Sequence, residues 1–172
     1  HKARVRVTAV PGAAACVAAL TISGLPARRF AFEAFLPGDK KERQAVLDEL
    51  KDETRTMILY EAPHRLLKTL VLLRETLGER QVRVCRELTK KHETVYCGAL
   101  SEASAYYEAQ EPRGECVLVV EGKSRRELKE EEIARWETMS IQEHMQYYES
   151  QGKSRKDAMK CVAKDRGVGK RE

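Results

Sequence analysis

The chain has 172 residues, of which 42% are hydrophobic and 34% charged, and its net charge is +5 at pH 7. This length suits one α/β domain with a small appendage and excludes two large domains. No apolar run approaches the roughly 18 to 20 residues that cross a bilayer, which argues against a membrane protein.

Short β-rich runs alternate with helical patterns from Val5 to Gly122, which predicts an α/β domain with a mixed sheet flanked by helices. Gly24 and Gly78 are natural helix ends, because glycine tolerates the left-handed backbone found there. The predicted strands are Val5–Val10, Phe30–Phe35, Thr56–Tyr60, Gln81–Arg86, Thr94–Cys97 and Glu115–Val120. The predicted helices are Ala13–Ile22, Lys40–Lys51, a segment from Pro63 to Leu77, and Leu100–Ala109. On the segment after Pro63, the expected apolar positions are Leu66, Leu67, Leu70, Val71 and Leu77.

The composition changes after Gly122, and Lys123–Glu132 is so dense in charge that it predicts a linker or an exposed helix. Ser140 with Glu143 matches a capping box, and Ser154 with Asp157 is a weaker one. Two short helices joined at a glycine turn resemble a helix-turn-helix in outline. We therefore expect an α/β domain at residues 1–122 and a small all-α extension at 123–172. The second short helix is expected to turn Ala158, Met159, Val162 and Ala163 inward.

The extension is basic while the rest of the chain is balanced. Residues 151–172 hold eight cations against three anions, which accounts for the whole net charge of +5. Such a tail favours an anionic partner, most commonly nucleic acid, although a solvated helix face is the simpler alternative. The candidate RNA contacts in it are Lys153, Arg155, Lys156, Lys160, Lys164 and Arg166.

The cysteines indicate neither disulfides nor a metal site. They are odd in number, widely spaced and without a CxxC pair, which favours buried free thiols in a reducing cytoplasm and no zinc ligands. They are Cys16, Cys85, Cys97, Cys116 and Cys161.

Two clusters near strand ends have the residue types of a binding or catalytic site. Residues 11–15 (PGAAA) lie between a strand and a helix, where small side chains let a ligand approach backbone N–H groups, or they form an ordinary tight turn. The segment Tyr60–Arg65 follows an apolar strand, and ligands of open α/β sheets gather beyond such ends. Glu61 or His64 is a candidate proton acceptor and Arg65 a candidate phosphate contact. The alternative is an exposed polar turn.

Two later clusters are equally open to both interpretations. The mixed charges of Arg86–Glu93, between two strands, suit RNA phosphates and base positioning, or form a solvated loop. In Pro112–Glu115, Gly114 allows another backbone or a ligand to come close, or the segment is a plain turn. None of the four clusters alone specifies a reaction.

Taken together, the clusters resemble the tetrapyrrole methylase superfamily, and within it the branch that methylates small-subunit ribosomal RNA. The corrin and porphyrin methylases lack the sequence motifs YEAPHR (residues 60–65) and RELTKKHE (residues 86–93). The extension from Ser140 resembles the helical extension of that branch. The segments that carry the resemblance are Val10–Pro26, Arg29–Pro37, Arg55–Leu66, Arg86–Glu93 and Pro112–Gly122.

The resemblance implies two α/β subdomains with S-adenosyl-L-methionine in the cleft between them. It implies methyl transfer to the 2′-hydroxyl of a cytidine in 16S ribosomal RNA, on the small ribosomal subunit, by a bacterial cytoplasmic homodimer, and we expect no metal. It also implies that the N-terminal subdomain is missing here, so a fragment like this one is expected to be inactive alone. A corrin- or porphyrin-type methylase and a non-catalytic RNA-binding module are the alternatives.

By position, the resemblance assigns cofactor contacts, whereas the chemistry of the reaction suggests the candidates for proton handling and for phosphate binding. Many members have Ser or Thr after the Pro-Gly pair where this chain has alanines, so only a backbone role carries over there. The candidates for proton handling are Glu61 and Glu93, followed by Lys90. Arg65, Arg86 and Lys91 are expected to contact phosphate. The expected cofactor contacts are Pro11, Gly12, Ala14, Ala15, Tyr60, Leu88, Gly114 and Glu115.

Overall fold

A computed structural model describes residues 9, 11–110 and 112–168, and the predicted strand Val5–Val10 lies almost wholly outside them. The chain divides into two compact units, His1–Lys123 and Ser124–Glu172, each described below by itself. The predicted division into an α/β domain at residues 1–122 and a helical extension at 123–172 stays a prediction. No helix within the described ranges is long and apolar enough to cross a membrane.

The first unit is built on a mixed sheet, as predicted. Its described strands are β1 (Phe30–Phe35), β2 (Thr56–Glu61), β3 (Gln81–Arg86), β4 (Thr94–Ala99) and β5 (Cys116–Val120). Their order across the sheet is β1-β2-β5-β3-β4. The pair β1–β2 is parallel and the other neighbouring pairs are antiparallel.

Helices cover both faces of this sheet. The helices are α1 (Ala15–Ser23), α2 (Lys40–Leu50), α3 (Leu66–Leu77) and α4 (Leu100–Ala109), and a 3-10 turn, Pro63–Arg65, precedes α3. On one face, leucines of α2, α3 and α4 pack on Leu59 and Leu118. On the other face, Ala19 and Leu20 of α1 pack on Ile58 and Val119. The α/β class is therefore confirmed.

The expected buried face of α3 needs one correction. Val71 is 39% exposed, whereas Leu73, which the periodicity had not singled out, is fully buried. Residues 66, 70, 73 and 77 form one stripe at spacings of three and four, and Val71 lies about 100° around the helix from Leu70. Packing of α3 against the sheet selects the stripe that includes Leu73.

The described part of the second unit is helical, with α5 (Arg125–Thr138), α6 (Ile141–Ser150) and α7 (Arg155–Asp165). The capping box at Ser140 is confirmed, because its hydroxyl accepts the Glu143 N–H and the Glu143 carboxylate accepts the Ser140 N–H. The charged segment after Gly122 becomes α5 rather than a linker. Met159 was expected to face inward but is 55% exposed, while Ala158 and Val162 are buried.

The five cysteines are free thiols and all lie within the described ranges. Cys85 and Cys116 are buried, and burial raises the pKa of Cys85 to about 12 and that of Cys116 to about 11. Cys16 and Cys161 are partly buried and Cys97 is exposed, so the expectation of burial was wrong for Cys97. It lies on β4 at the edge of the sheet.

Candidate functional site

Three of the four predicted clusters meet at one edge of the sheet, namely the edge formed by the ends of its strands and not a side formed by an outer strand. Strands β1, β2 and β3 end at this edge, and the antiparallel strands β5 and β4 begin there. Glu61 at the end of β2 and Arg86 at the end of β3 are both register neighbours of Cys116, the first residue of β5. The segments 60–65, 86–93 and 112–115 therefore lie side by side.

The fourth cluster is tied to the same edge through Tyr60. The Cys16 N–H in the first turn of α1 donates a hydrogen bond to the Tyr60 hydroxyl oxygen at 3.2 Å. Pro11, Gly12, Ala14 and Ala15 are exposed beside it. No described side chain caps α1 at Ala14, so its amino end keeps N–H groups and a partial positive charge for an anionic partner.

Glu61 is buried, with 2% of its surface exposed, and its carboxylate is fully engaged within the protein. One oxygen accepts the Ala62 N–H at 2.8 Å, and the other accepts the Thr69 hydroxyl of α3 at 2.6 Å. The Arg65 guanidinium lies 3.2 Å from the first oxygen. This arrangement holds the turn between β2 and α3 in place.

The loop after β3 has an unusual backbone. Glu87 and Thr89 have φ values of 49° and 64°, in the left-handed region that non-glycine residues rarely occupy. The Glu87 carboxylate accepts the Glu115 N–H at 2.9 Å and pairs with Lys90 at 3.2 Å. A Cβ on Gly114 would lie 2.2 Å from that carboxylate, so the close approach predicted for Gly114 is made by Glu87.

The three candidates for proton handling have different surroundings. Hydrogen bonds from Lys90 to Glu115 and Glu87 raise the pKa of Lys90 above its usual value, which keeps it protonated and unsuited to accept a proton. Glu61 is buried and engaged. Glu93 is exposed, and its carboxylate accepts the Thr89 N–H at 2.6 Å. Of the three, Glu93 is the candidate best placed to meet a substrate.

The expected phosphate contacts near this edge are also unequal. The Arg86 guanidinium donates two hydrogen bonds to the Arg113 carbonyl, at 3.1 and 2.8 Å, and so fixes the segment before β5. Arg65 is shared between Glu61 and solvent, with 37% of its side chain exposed. Lys91 is exposed. The edge retains cationic surface, but Arg86 is largely committed to the fold.

In the second unit, the predicted RNA contacts separate into two groups. Five of the six are exposed, namely Lys153, Arg155, Lys156, Lys160 and Lys164. Arg166 instead is partly buried, and its guanidinium donates to the carbonyls of Trp136 and Met139 and to Nδ1 of His144. His144 in turn stacks on Trp136 with ring centroids 3.9 Å apart. Arg166 thus joins α5, α6 and α7.

Replacing Arg166 with alanine is expected to destabilise the second unit by about 2 kcal/mol, because two carbonyls and a ring nitrogen lose their charged donor. Loss of Trp136 fluorescence during urea unfolding measures this, since Trp136 is the one tryptophan of the chain. The control is Arg155→Ala, an exposed cation of α7 whose loss should change stability by less than about 0.5 kcal/mol. Equal midpoints for both variants would contradict the structural role.

Exposed apolar and cationic side chains of α6 and α7 line a cavity of about 670 Å³ in the second unit. Ile141 and Met159 are 57% and 55% exposed there, beside Arg155, Lys156 and Lys160. An apolar floor with a basic rim suits unpaired nucleotides, whose bases are apolar on their faces and whose phosphates are anionic.

Sequence reasoning missed Thr69 and Trp136, and it left Glu87 without a role of its own. Thr69 lies in the middle of a helix, and the pairing of its hydroxyl with Glu61 follows from packing rather than from a local pattern. Glu87 gave a partial signal, because Gly114 indicated that something comes close. Trp136 is the sole tryptophan in a charged helix, and its isolation there was a usable sign of burial.

Comparison with known proteins shows which family this chain belongs to. Residues 1–104 match the family described as Tetrapyrrole (Corrin/Porphyrin) Methylases. A Bacillus subtilis protein named Ribosomal RNA small subunit methyltransferase I is 45% identical over 166 residues, covering 96% of this chain and 56% of that protein. Its namesake from Halalkalibacterium halodurans is 44% identical over 171 residues, with 99% and 58% covered. A Synechocystis namesake is 50% identical over 122 residues, with 70% and 44% covered. The chain thus spans a little over half the length of the first two relatives.

Proposed function

From the membership of this chain in the tetrapyrrole (corrin/porphyrin) methylase family, we propose that it is part of a methyltransferase that uses S-adenosyl-L-methionine to methylate the ribose 2′-hydroxyl of a cytidine in 16S ribosomal RNA. The observation that carries the proposal is the 44–45% identity to proteins named Ribosomal RNA small subunit methyltransferase I, which extends over nearly the whole chain. The protein would work in the cytoplasm, as a homodimer, on the small ribosomal subunit.

The sheet edge fits the methyl donor on chemical grounds. The uncapped amino end of α1 suits a carboxylate, and the alanines before it let a ligand reach the backbone. Tyr60, which the resemblance assigns to the adenosyl pocket, lies at the same edge as Leu88, Gly114 and Glu115, which it assigns to other positions of the cleft. S-adenosyl-L-methionine supplies an activated methyl group, and the residues of this edge would bind and orient it.

The reaction needs positioning and a proton acceptor, because a ribose hydroxyl is a poor nucleophile. Correct orientation of two reactants contributes on the order of 7–11 kcal/mol in favourable cases. Glu93 is our preferred proton acceptor, since its carboxylate is exposed at the edge. Glu61 then positions the turn between β2 and α3, and Lys90 positions the loop after β3 through Glu87 and Glu115. Arg65 and Lys91 supply cationic surface for the RNA backbone.

The second unit supplies the remaining RNA contact in this proposal. Of its exposed cations, Arg155, Lys156 and Lys160 line the cavity between α6 and α7. Lys164 lies further along α7, and Lys153 lies just before that helix. A contribution from several cations to phosphates falls steeply as salt concentration rises. Arg166 has a structural role instead, because its guanidinium is hydrogen-bonded to Trp136 and His144.

The test is transfer of a labelled methyl group from S-adenosyl-L-methionine to small ribosomal subunits by the protein as its gene encodes it. We expect label in 16S RNA at an alkali-resistant linkage, because a 2′-O-methyl group removes the hydroxyl that attacks the phosphodiester. In a parallel assay with a tetrapyrrole as the methyl acceptor, label in the tetrapyrrole together with none in the RNA would favour the corrin- or porphyrin-type alternative. RNA binding without cofactor binding, measured by calorimetry, would favour the non-catalytic module.

A further inference from the structure

Strand β1 carries three phenylalanines that lie outside the hydrophobic core. Phe30, Phe32 and Phe35 are 40%, 46% and 57% exposed, and together they are called the aromatic stripe here. β1 is an edge strand, with β2 as its only neighbour in the described sheet. Contiguous exposed apolar surface of this kind commonly marks a binding surface.

A β-bulge places all three rings on one face of the sheet. In a regular strand Phe35 would point away from Phe30 and Phe32, because alternate residues face opposite sides. The register shifts between Phe32 and Ala34, so that Phe30, Phe32 and Phe35 pair with Thr56, Ile58 and Tyr60. Ala34 adopts a φ of 51° at the shift, a conformation that costs an alanine free energy. Bulges that redirect a side chain are characteristic of functional sites.

The aromatic stripe leads into the candidate site. Phe32 and Phe35 contact Tyr60 edge-on, with ring centroids 5.1 and 5.7 Å apart. Despite these contacts, Phe32 and Phe35 remain 46% and 57% exposed, so much of each ring is open to solvent. The stripe thus ends at the sheet edge where the four clusters meet.

Cationic side chains lie at both ends of the stripe. Arg28 and Arg29 directly precede Phe30 and are exposed. At the other end, the Arg65 guanidinium reaches the Leu36 carbonyl, next to Phe35, at 3.5 Å. The residues of β2 that pair with successive rings are two positions apart, or about 6.6 Å along the strand. Each ring can therefore offer its own surface to a base.

We propose that the aromatic stripe stacks unpaired bases of the RNA substrate while Arg28, Arg29 and Arg65 contact the flanking phosphates. This inference rests on the proposed function and adds to it a base-binding surface outside the cofactor site. Proteins recognise single-stranded RNA by stacking bases on aromatic rings within cationic surfaces. A purely apolar protein contact accounts for the rings but not for the exposed Arg28 and Arg29 directly beside them.

The test is fluorescence anisotropy of the full chain with a labelled, unpaired RNA of about 12 nucleotides and with the same RNA annealed into a duplex. The double variant Phe32→Ala, Phe35→Ala is expected to bind the unpaired RNA at least about 5- to 150-fold more weakly, which is the range for losing a single stacked base. Binding of the duplex should change little. The assay needs no methyl donor, so its failure is distinguishable from failure of the proposed reaction.

Two further sets of variants make the outcome specific to stacking. Phe→Tyr changes at positions 32 and 35 keep the rings and should retain affinity, whereas Phe→Leu changes keep apolar surface only and should lose it. The matched control is Tyr106→Ala, which removes an aromatic residue of 40% exposure from α4, on the opposite face of the sheet. Unchanged affinity in the alanine variant overturns the proposal. So does equal affinity of the leucine and tyrosine variants, which would identify the stripe as an apolar protein contact.

Discussion

Replacement of Gly122 by alanine should destabilise the first unit by about 3 kcal/mol, because no space exists for the added methyl group. A Cβ at this position would lie 2.4 Å from the Thr54 carbonyl carbon and 2.5 Å from the Arg55 carbonyl oxygen. These are backbone atoms and cannot move aside by changing a rotamer. The neighbouring N–H groups of Glu121 and Lys123 are hydrogen-bonded to the Gln81 and Glu53 carbonyls, which holds residue 122 in place.

The measurement is the urea midpoint followed by circular dichroism, together with amide exchange in β2 and β5, the strands joined at this point. Gly38→Ala is the matched control, since an added Cβ there meets no described atom within 4 Å. It should shift stability by less than about 0.5 kcal/mol. Equal midpoints for the two variants would show that the 54–55 segment can move away at little cost.

The second large effect is expected from Glu61→Gln, which should cost about 3 kcal/mol of stability in the first unit. The carboxylate accepts hydrogen bonds from Ala62 and the buried Thr69 and lies beside the Arg65 guanidinium. An amide has one acceptor oxygen and one NH₂ group, so at least one of these donors faces another donor. Because Arg65 is partly exposed, its own charge remains solvated and adds little to the loss.

Glu93→Gln is the matched control for this carboxylate-to-amide change. Its side chain is exposed, so stability should stay within about 0.5 kcal/mol of the parent chain. If Glu93 accepts the proton, methyl transfer by the protein as its gene encodes it falls about 100-fold in the same variant. A stable Glu61→Gln protein with reduced methyl transfer would reverse our assignment of the two carboxylates.

Local patterns predicted most of the elements of the first unit because those elements are determined by local chemistry. The alternation of Gln81–Arg86 and the helix Leu100–Ala109 match the structure residue for residue. Glycine at position 24 ends α1 in the left-handed conformation, as its backbone freedom allows. The errors at Val71 and Met159 have one cause. Periodicity identifies an apolar stripe on a helix, but only packing decides where the buried sector stops.

The candidate site could be predicted as four separate segments but not as one place. Each segment follows or precedes a strand, which the sequence shows. Their meeting depends on the order β1-β2-β5-β3-β4, in which β5 is inserted between β2 and β3 although it comes last in the chain. Long-range pairing of this kind is set by the packing of the whole sheet, and no local pattern contains it.

The sequence by itself determined the family resemblance, the helices and strands, and the concentration of positive charge in residues 151–172. These are properties of composition and of neighbours along the chain. The tertiary structure decided which charged residues remain available, by committing Glu61, Arg86 and Arg166 to internal partners. It also decided that a bulge at Ala34 turns Phe35 to the side of Phe32. A side chain's role depends on the groups that reach it from distant parts of the chain, and those groups are fixed only when the elements pack.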